Sequence, residues 1–249
     1  MKGTSQSTVR RVIRYWLKQT PNQSTGDLSK TKHIIFDGTF LKRPRGIYAA
    51  MDSETHKLLY AAVNVRESVD DLLLFYSQLS EAGLYPESAT IDGNAAQMKQ
   101  LKNFWPEIKL QRCIVHVQRQ GLSWCRRNPK RTDAKHLREL LLKLTEVRTK
   151  EESLRFIKGF YAWENRFGSG IESSPNRGWV FSDIRRARSM LMKALPNLFH
   201  NINNPKIARS TNALEGYFSR VKEHYRLHRG LSKTNKVNYF KWYFFLKPK

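Results

Sequence analysis

Residues 33–65 read HIIFDGTFLKRPRGIYAAMDSETHKLLYAAVNV, and this stretch decides the fold. Three short apolar runs, HIIFD, GIYAAMD and LLYAAVNV, are divided by turn formers. Runs of this length between such residues are neighbouring strands of a meander. Downstream, Val69 to Leu84 sets Leu72, Leu73, Phe75, Tyr76 and Leu79 at helical spacing, with Gly83 as a stop signal. A fourth strand, Ser88 to Ile91, ends at Asp92; a helix over Ala95 to Phe104 and a fifth strand over Ile108 to Val115 follow.

Outward from this block the texture changes. Upstream, STVRRVIRYWL (Ser7 to Leu17) is a short basic amphipathic helix with Ser7 or Thr8 as N-cap, read either as the remnant of a helix-turn-helix or as an ordinary surface helix. Pro21 to Lys30 is a linker rich in Gln, Ser and Thr. Beyond Gln120, Asp133 to Leu144, Lys150 to Trp163 and Ser182 to Phe199 all show helical periodicity. The expected division is therefore a basic helix and linker (1–30), the first part of a core (31–125), an all-helical insertion (126–205), a return helix (206–232) and a basic aromatic tail (233–249). Three antiparallel strands followed by helix, strand, helix and strand is the order of a ribonuclease H-like fold. The fold class is α/β, a mixed five-stranded sheet with flanking helices and a helical insertion.

Charge narrows the function classes. In 249 residues, 45 Lys and Arg stand against 21 Asp and Glu, a net charge of +24 that calls for a polyanion such as nucleic acid. The cations concentrate late: residues 109–150 carry twelve against three acids, and 205–249 eleven against two. Six Trp, 10 Tyr and 13 Phe argue for a folded core rather than a disordered basic tail. Cys113 and Cys125 are the two cysteines, no signal-peptide pattern opens the chain, and no apolar stretch is long enough to span a bilayer. An intracellular, DNA-associated protein is expected.

The residues with chemistry are acidic. Asp37, in FDGTF, follows the first strand, and Asp92, in TIDGN, follows the fourth. If those strands are adjacent, two carboxylates meet at one sheet edge, a hard-oxygen site for Mg²⁺ or Mn²⁺. Alone, each Asp-Gly is better read as a turn; together, each directly after an apolar run, they favour a site. Glu215, in STNALEGYFSRVKEHY, lies beside a stripe of Leu214, Phe218, Val221 and Tyr225 and shares a face with Lys222, Ser219 and Arg226. It reads equally as a metal ligand followed by phosphate-binding cations or as the third helical residue of a capping box with Asn212.

Taken in order, FDGTF, TIDGNAAQMKQLKNFWPEIKLQRCIVHVQR and STNALEGYFSRVK followed by HRGLS resemble the Mutator-like bacterial insertion-sequence transposases over about residues 31–232. The resemblance implies that Asp37, Asp92 and Glu215 are the catalytic metal ligands and hold two Mg²⁺ or Mn²⁺ ions. It implies cleavage of terminal inverted repeats, strand transfer into target DNA, and work as a homodimer or larger assembly on double-stranded DNA in the bacterial cytoplasm, nucleoid-associated. Cys113 and His116 would sit beside the site as structural residues, with a zinc site completed by Cys125 and His136 as the less favoured reading. Trp179 would stack on a displaced base while Arg177, Arg185, Arg186 and Arg188 hold the backbone, although core packing is the commoner role of a single Trp. Lys222 and Arg226 would contact DNA; His224 and His228 are phosphate contacts or solvated residues. Two rivals remain: a DNA-binding protein of the same descent without turnover, and another ribonuclease H-like nuclease.

Overall fold

A computed structural model of the chain describes residues 5–21, 25–42, 45–66, 68–173, 179–228 and 230–246. The first helix, α1 (Gln6–Leu17), is capped by Ser5, whose hydroxyl accepts from the Thr8 N–H. The cap thus falls two or three residues earlier than the sequence suggests. The linker is tacked down at Leu28, which is buried and whose N–H donates to the Ala82 carbonyl.

Strands β1 (His33–Lys42), β2 (Arg45–Asp52) and β3 (Leu58–Val65) form the antiparallel meander. Helix α2 (Val69–Glu81) returns the chain to β4 (Ser88–Ile91), and α3 (Ala95–Phe104) leads to β5 (Lys109–Arg112). Both late strands run parallel to β1, giving the order β3-β2-β1-β4-β5. The expected mixed five-stranded α/β sheet is present, with β1 and β4 adjacent.

Strand alternation sorts the core into two layers. Ile34, Phe36, Tyr48 and Ala50 pack against Leu72, Phe75, Tyr76 and Leu101 of α2 and α3. Ile35, Ile47, Ala49 and Met51 pack on the other face against two late helices, Asn212–Arg226 and Lys233–Leu246.

Between β5 and those helices lies the helical segment, α4 (Ile114–Cys125), α5 (Thr132–Lys143), α6 (Lys150–Ser173), α7 (Trp179–Ala194) and the short α8 (His200–Asn203). Val117, Leu137, Leu141, Phe160 and Leu191 make its separate core, and the Trp163 indole donates to the Asp133 carbonyl at 2.8 Å. The chain then returns through α9 (Asn212–Arg226) and ends in α10 (Lys233–Leu246). Among the described residues no helix is long and apolar enough to cross a membrane.

Several boundaries differ from the sequence reading. β1 does not stop at Asp37 but continues to Lys42, because β2 pairs with it along that whole length while β4 pairs only as far as Ile35. β5 ends at Arg112, and Ile114 and Val115 of the expected strand belong to a helix; a short apolar run does not distinguish the two states, and here a helical stripe of Ile114, Val117, Gly121 and Cys125 is buried. The basic aromatic segment at the end is no loose tail: Phe240 and Phe244 of α10 are buried against the sheet.

Candidate active site

Sheet register brings the two aspartates together. Ile35 of β1 pairs with Thr90 of β4 in parallel, so two residues further on Asp37 and Asp92 lie at the same level of adjacent strands. Each carboxylate accepts a hydrogen bond from a nearby backbone N–H, Asp37 within β1 and Asp92 in the turn after β4. Gly38 N–H donates to Asp37 Oδ1 at 2.8 Å, and Asn94 N–H donates to Asp92 Oδ1 at 3.0 Å. Asn94 in turn caps α3, its Oδ1 accepting from the Ala96 and Gln97 N–H groups.

The turn after Asp92 is tightly specified. Gly93 has φ +99°, and a Cβ there would run into the guanidinium of Arg112, whose Nη2 donates to the Asp92 carbonyl at 3.0 Å. Gly93→Ala is therefore expected to lower stability by roughly 1–3 kcal/mol through left-handed backbone strain and displacement of Arg112. An unchanged urea midpoint would contradict this account of the turn.

Below the pair, a small cleft is lined by Asp37, Gly38, Tyr48, Leu72, Asp92, Asn94 and Gln97. Its floor is a buried network in which the Gln97 amide donates to the Tyr48 hydroxyl, itself 3.2 Å from the Tyr76 hydroxyl. Burial first, then Tyr76 and the two nearby aspartates, holds the Tyr48 phenol above its ordinary pKa, so it stays a neutral hydrogen-bonding group.

Glu215 reaches the same region from α9, which lies across β1 with Leu214 and Phe218 packed on Ile35. The capping box with Asn212 does not form. Thr211 is the residue preceding the helix, Asn212 is exposed, and no side chain caps the helix by a hydrogen bond. Thr211 instead links the site: its hydroxyl donates to Glu215 Oε1 at 3.3 Å, lies 3.4 Å from His116 Nδ1, and its N–H donates to Cys113 Sγ at 3.4 Å. Two α4 cations face Glu215, with His116 Nε2 3.6 Å from Oε1 and Arg119 Nη1 3.8 Å from Oε2. The sequence reading missed Arg119, three residues after His116 and so on the same helix face.

These charges see one another. Burial raises the Asp37 carboxyl from 3.8 to about 7; the Gly38 N–H and His116 oppose the rise, and the neighbouring Asp92 and Glu215 carboxylates add to it. His116 is raised from 6.5 to about 9 by the Cys113 hydrogen bond first, burial opposing, with the charges of Cys113, Asp37 and Glu215 contributing. Burial pushes the Cys113 thiol up, but His116 and the Thr211 N–H outweigh it and leave the pKa below its ordinary value.

Both raised pKa values act on stability in the same direction. Between about pH 4 and 7 the folded chain keeps a proton on Asp37 that the unfolded chain has lost, so stability falls as pH rises through that window. The His116 contribution is complete below 6.5 and is lost as pH rises through about 9. In EDTA, the thermal midpoint should fall from pH 5 to pH 9, and Asp37→Asn should abolish the part below pH 6.5. A midpoint that rises over this range would refute the electrostatic picture.

Asp37 and Asp92 supply hard oxygen donors at one spot, the chemistry a Mg²⁺ or Mn²⁺ ion requires, and Glu215 lies within their electrostatic reach. Its carboxylate is nonetheless turned to His116, Arg119 and Thr211, and no three His, Cys, Asp or Glu side chains form a metal-holding group among the described residues. The zinc alternative gains nothing: Cys125 is buried in the helical core, where burial pushes its thiol up to about 12, and the His136 ring packs on Phe167.

The remaining sequence candidates divide. Lys222 and Arg226 follow Glu215 along α9, Arg226 exposed and Lys222 half-buried. Arg186 is exposed and 3.6 Å from Asp183, and Arg185 donates to the Ile171 carbonyl. Arg188 is committed to structure, its guanidinium donating to both Glu164 oxygens at 2.5–3.0 Å. Arg177 lies outside the described residues; Trp179 opens α7, and its side chain lies outside what is described. His224 and His228 make tilted ring contacts with Tyr243 and Tyr239. The chain matches no protein-family model and no curated protein.

Proposed function

We propose that the chain is a DNA transposase of ribonuclease H-like fold, similar to the Mutator-like insertion-sequence enzymes, which cleaves transposon ends and joins them to target DNA. The observation that carries this reading is the placement of Asp37 and Asp92 at one level of adjacent parallel strands with Glu215 close enough to raise the Asp37 pKa. The strand order and the helical segment between β5 and α9 are compatible with that fold.

Asp37, Asp92 and Glu215 would hold Mg²⁺ or Mn²⁺, which when bound supplies charge stabilisation of the attacking and leaving oxygens of a phosphodiester. The protein's own groups do the rest. Arg112 and Asn94 fix the Asp92 turn, and the Tyr48–Gln97 network supports the cleft. To hold such an ion Glu215 would have to leave His116 and Arg119, and Arg119, whose side chain is 62% exposed, would then be open to a DNA phosphate. Lys222 and Arg226 extend the cationic surface along α9.

The experiment is cleavage of labelled inverted-repeat ends, a plain duplex and an RNA–DNA hybrid with Mn²⁺. Cutting at DNA ends with strand transfer supports a transposase, and cutting of the hybrid alone identifies another nuclease. The pairing of Glu215 with His116 and Arg119 favours one competitor, a DNA-binding protein of the same descent without turnover. Salt-sensitive DNA binding without cleavage of any substrate would select it.

A further inference from the structure

Helix α1 stands out from the body of the protein. Every residue from Ser5 to Trp16 except Thr8 is exposed. The helix is anchored at its C-terminal end, where Leu17 is buried, its carbonyl accepts from Asn238 Nδ2 of α10, and the Trp242 indole donates to the Trp16 carbonyl. A helix of 12 residues is marginal in water when nothing packs along it, so this one calls for a partner.

Its side chains sort into two opposed arcs. Val9, Val12, Ile13 and Trp16 are 43–51% exposed, and helical geometry sets them within an arc of roughly 100°. Arg10, Arg11, Arg14 and Lys18, all exposed, fill an arc of about the same width on the opposite side. No Asp or Glu precedes Asp27, so no acid of the helix offsets these cations. The Trp16 and Trp242 rings meet at 5.1 Å and Trp242 meets Phe245 at 5.4 Å, so apolar surface continues from Val9 to Phe245 near the end of α10.

We infer that α1 lies in the plane of an anionic lipid surface and attaches the chain to it. A DNA groove would take the four cations and leave the stripe from Val9 to Trp16 in water. An apolar protein groove would take the stripe and leave the cations without counter-charge. An anionic bilayer accepts both arcs at once. The stripe enters the boundary between headgroups and acyl chains, with Trp16 and Trp242 at headgroup level. The headgroup layer flanks a helix seated in this way, so the long arginine and lysine side chains of the other arc still reach its phosphates. At 12 residues, about 18 Å, α1 is too short to span the bilayer, and the attachment is peripheral. It requires neither DNA nor metal and does not depend on the catalytic reading.

Flotation of the whole chain, without DNA and in EDTA, with vesicles of phosphatidylcholine alone or in equal parts with phosphatidylglycerol tests the attachment. The wild type should bind the mixed vesicles about tenfold or more tightly than the neutral ones. A chain of net charge +24 adsorbs to any anionic surface, so the deciding variant keeps every cation. Val12→Ser/Ile13→Ser should weaken binding to the mixed vesicles about tenfold or more. Duplex DNA binding and the thermal midpoint should stay as in the wild type, both side chains being exposed. As a readout that does not depend on affinity, an environment-sensitive fluorophore attached at Ile13→Cys should shift to the blue on the mixed vesicles. One attached at Arg11→Cys, on the opposite arc, should not; the two native cysteines are buried. Unchanged vesicle binding by the serine variant, or a fluorophore at position 13 that stays in water, would overturn the proposal. So would an equal loss of duplex binding, which would make DNA the partner of the stripe, or a blue-shifted fluorophore before any vesicle is added, which would mean that protein covers it.

Discussion

Asp92→Asn is expected to reduce the proposed metal-dependent DNA cleavage roughly a thousandfold or more, the loss of about 4 kcal/mol of transition-state stabilisation. Asparagine keeps the acceptor that Asn94 N–H requires, so the turn and the α3 cap survive and only the charge is removed. The same loss is expected for Asp37→Asn and Glu215→Gln. Mn²⁺ titration calorimetry should show weakened binding for all three, while the proposed salt-dependent DNA binding should persist, because none of the substitutions removes a Lys or Arg. Cleavage at wild-type rate by any of these variants would remove that residue from the proposed metal site.

Phe240→Ala should have the largest effect on stability, about 3–5 kcal/mol. Its ring is fully buried in the layer formed by Leu214, Phe218, Val221 and strands β1, β2 and β3, and it also meets the Tyr225 ring at 5.0 Å. Removing it leaves a cavity where α10 crosses α9 and the sheet. The same layer carries α9, so Glu215 should lose its register with Asp37 as well. Chemical denaturation and Mn²⁺ affinity should therefore fall together; a variant as stable as the wild type would show that α10 is peripheral.

The sequence made the meander legible because its apolar runs are short and bounded by turn formers, and the order of the later helices and strands followed from the change in periodicity. The aspartates stood out because each directly follows an apolar run. Sequence misplaced the ends of β1 and β5, since the first depends on how far β2 accompanies it and the second on a burial stripe that only packing selects. Tyr48, Gln97 and Arg112 carried no sequence signal, being brought to the site by cross-strand register and by the approach of α3.

Glu215 shows where the limit lies. Spacing left its role balanced between helix cap and ligand; the tertiary structure removed the capping box by assigning Thr211 to Cys113, His116 and Glu215. Local sequence determined the elements and the charge of each face, because periodicity and turn chemistry act over a few residues. Which carboxylates and cations meet was decided by sheet order and helix docking, contacts between residues far apart in the chain, 98 positions for Thr211 and Cys113, which local pattern does not encode.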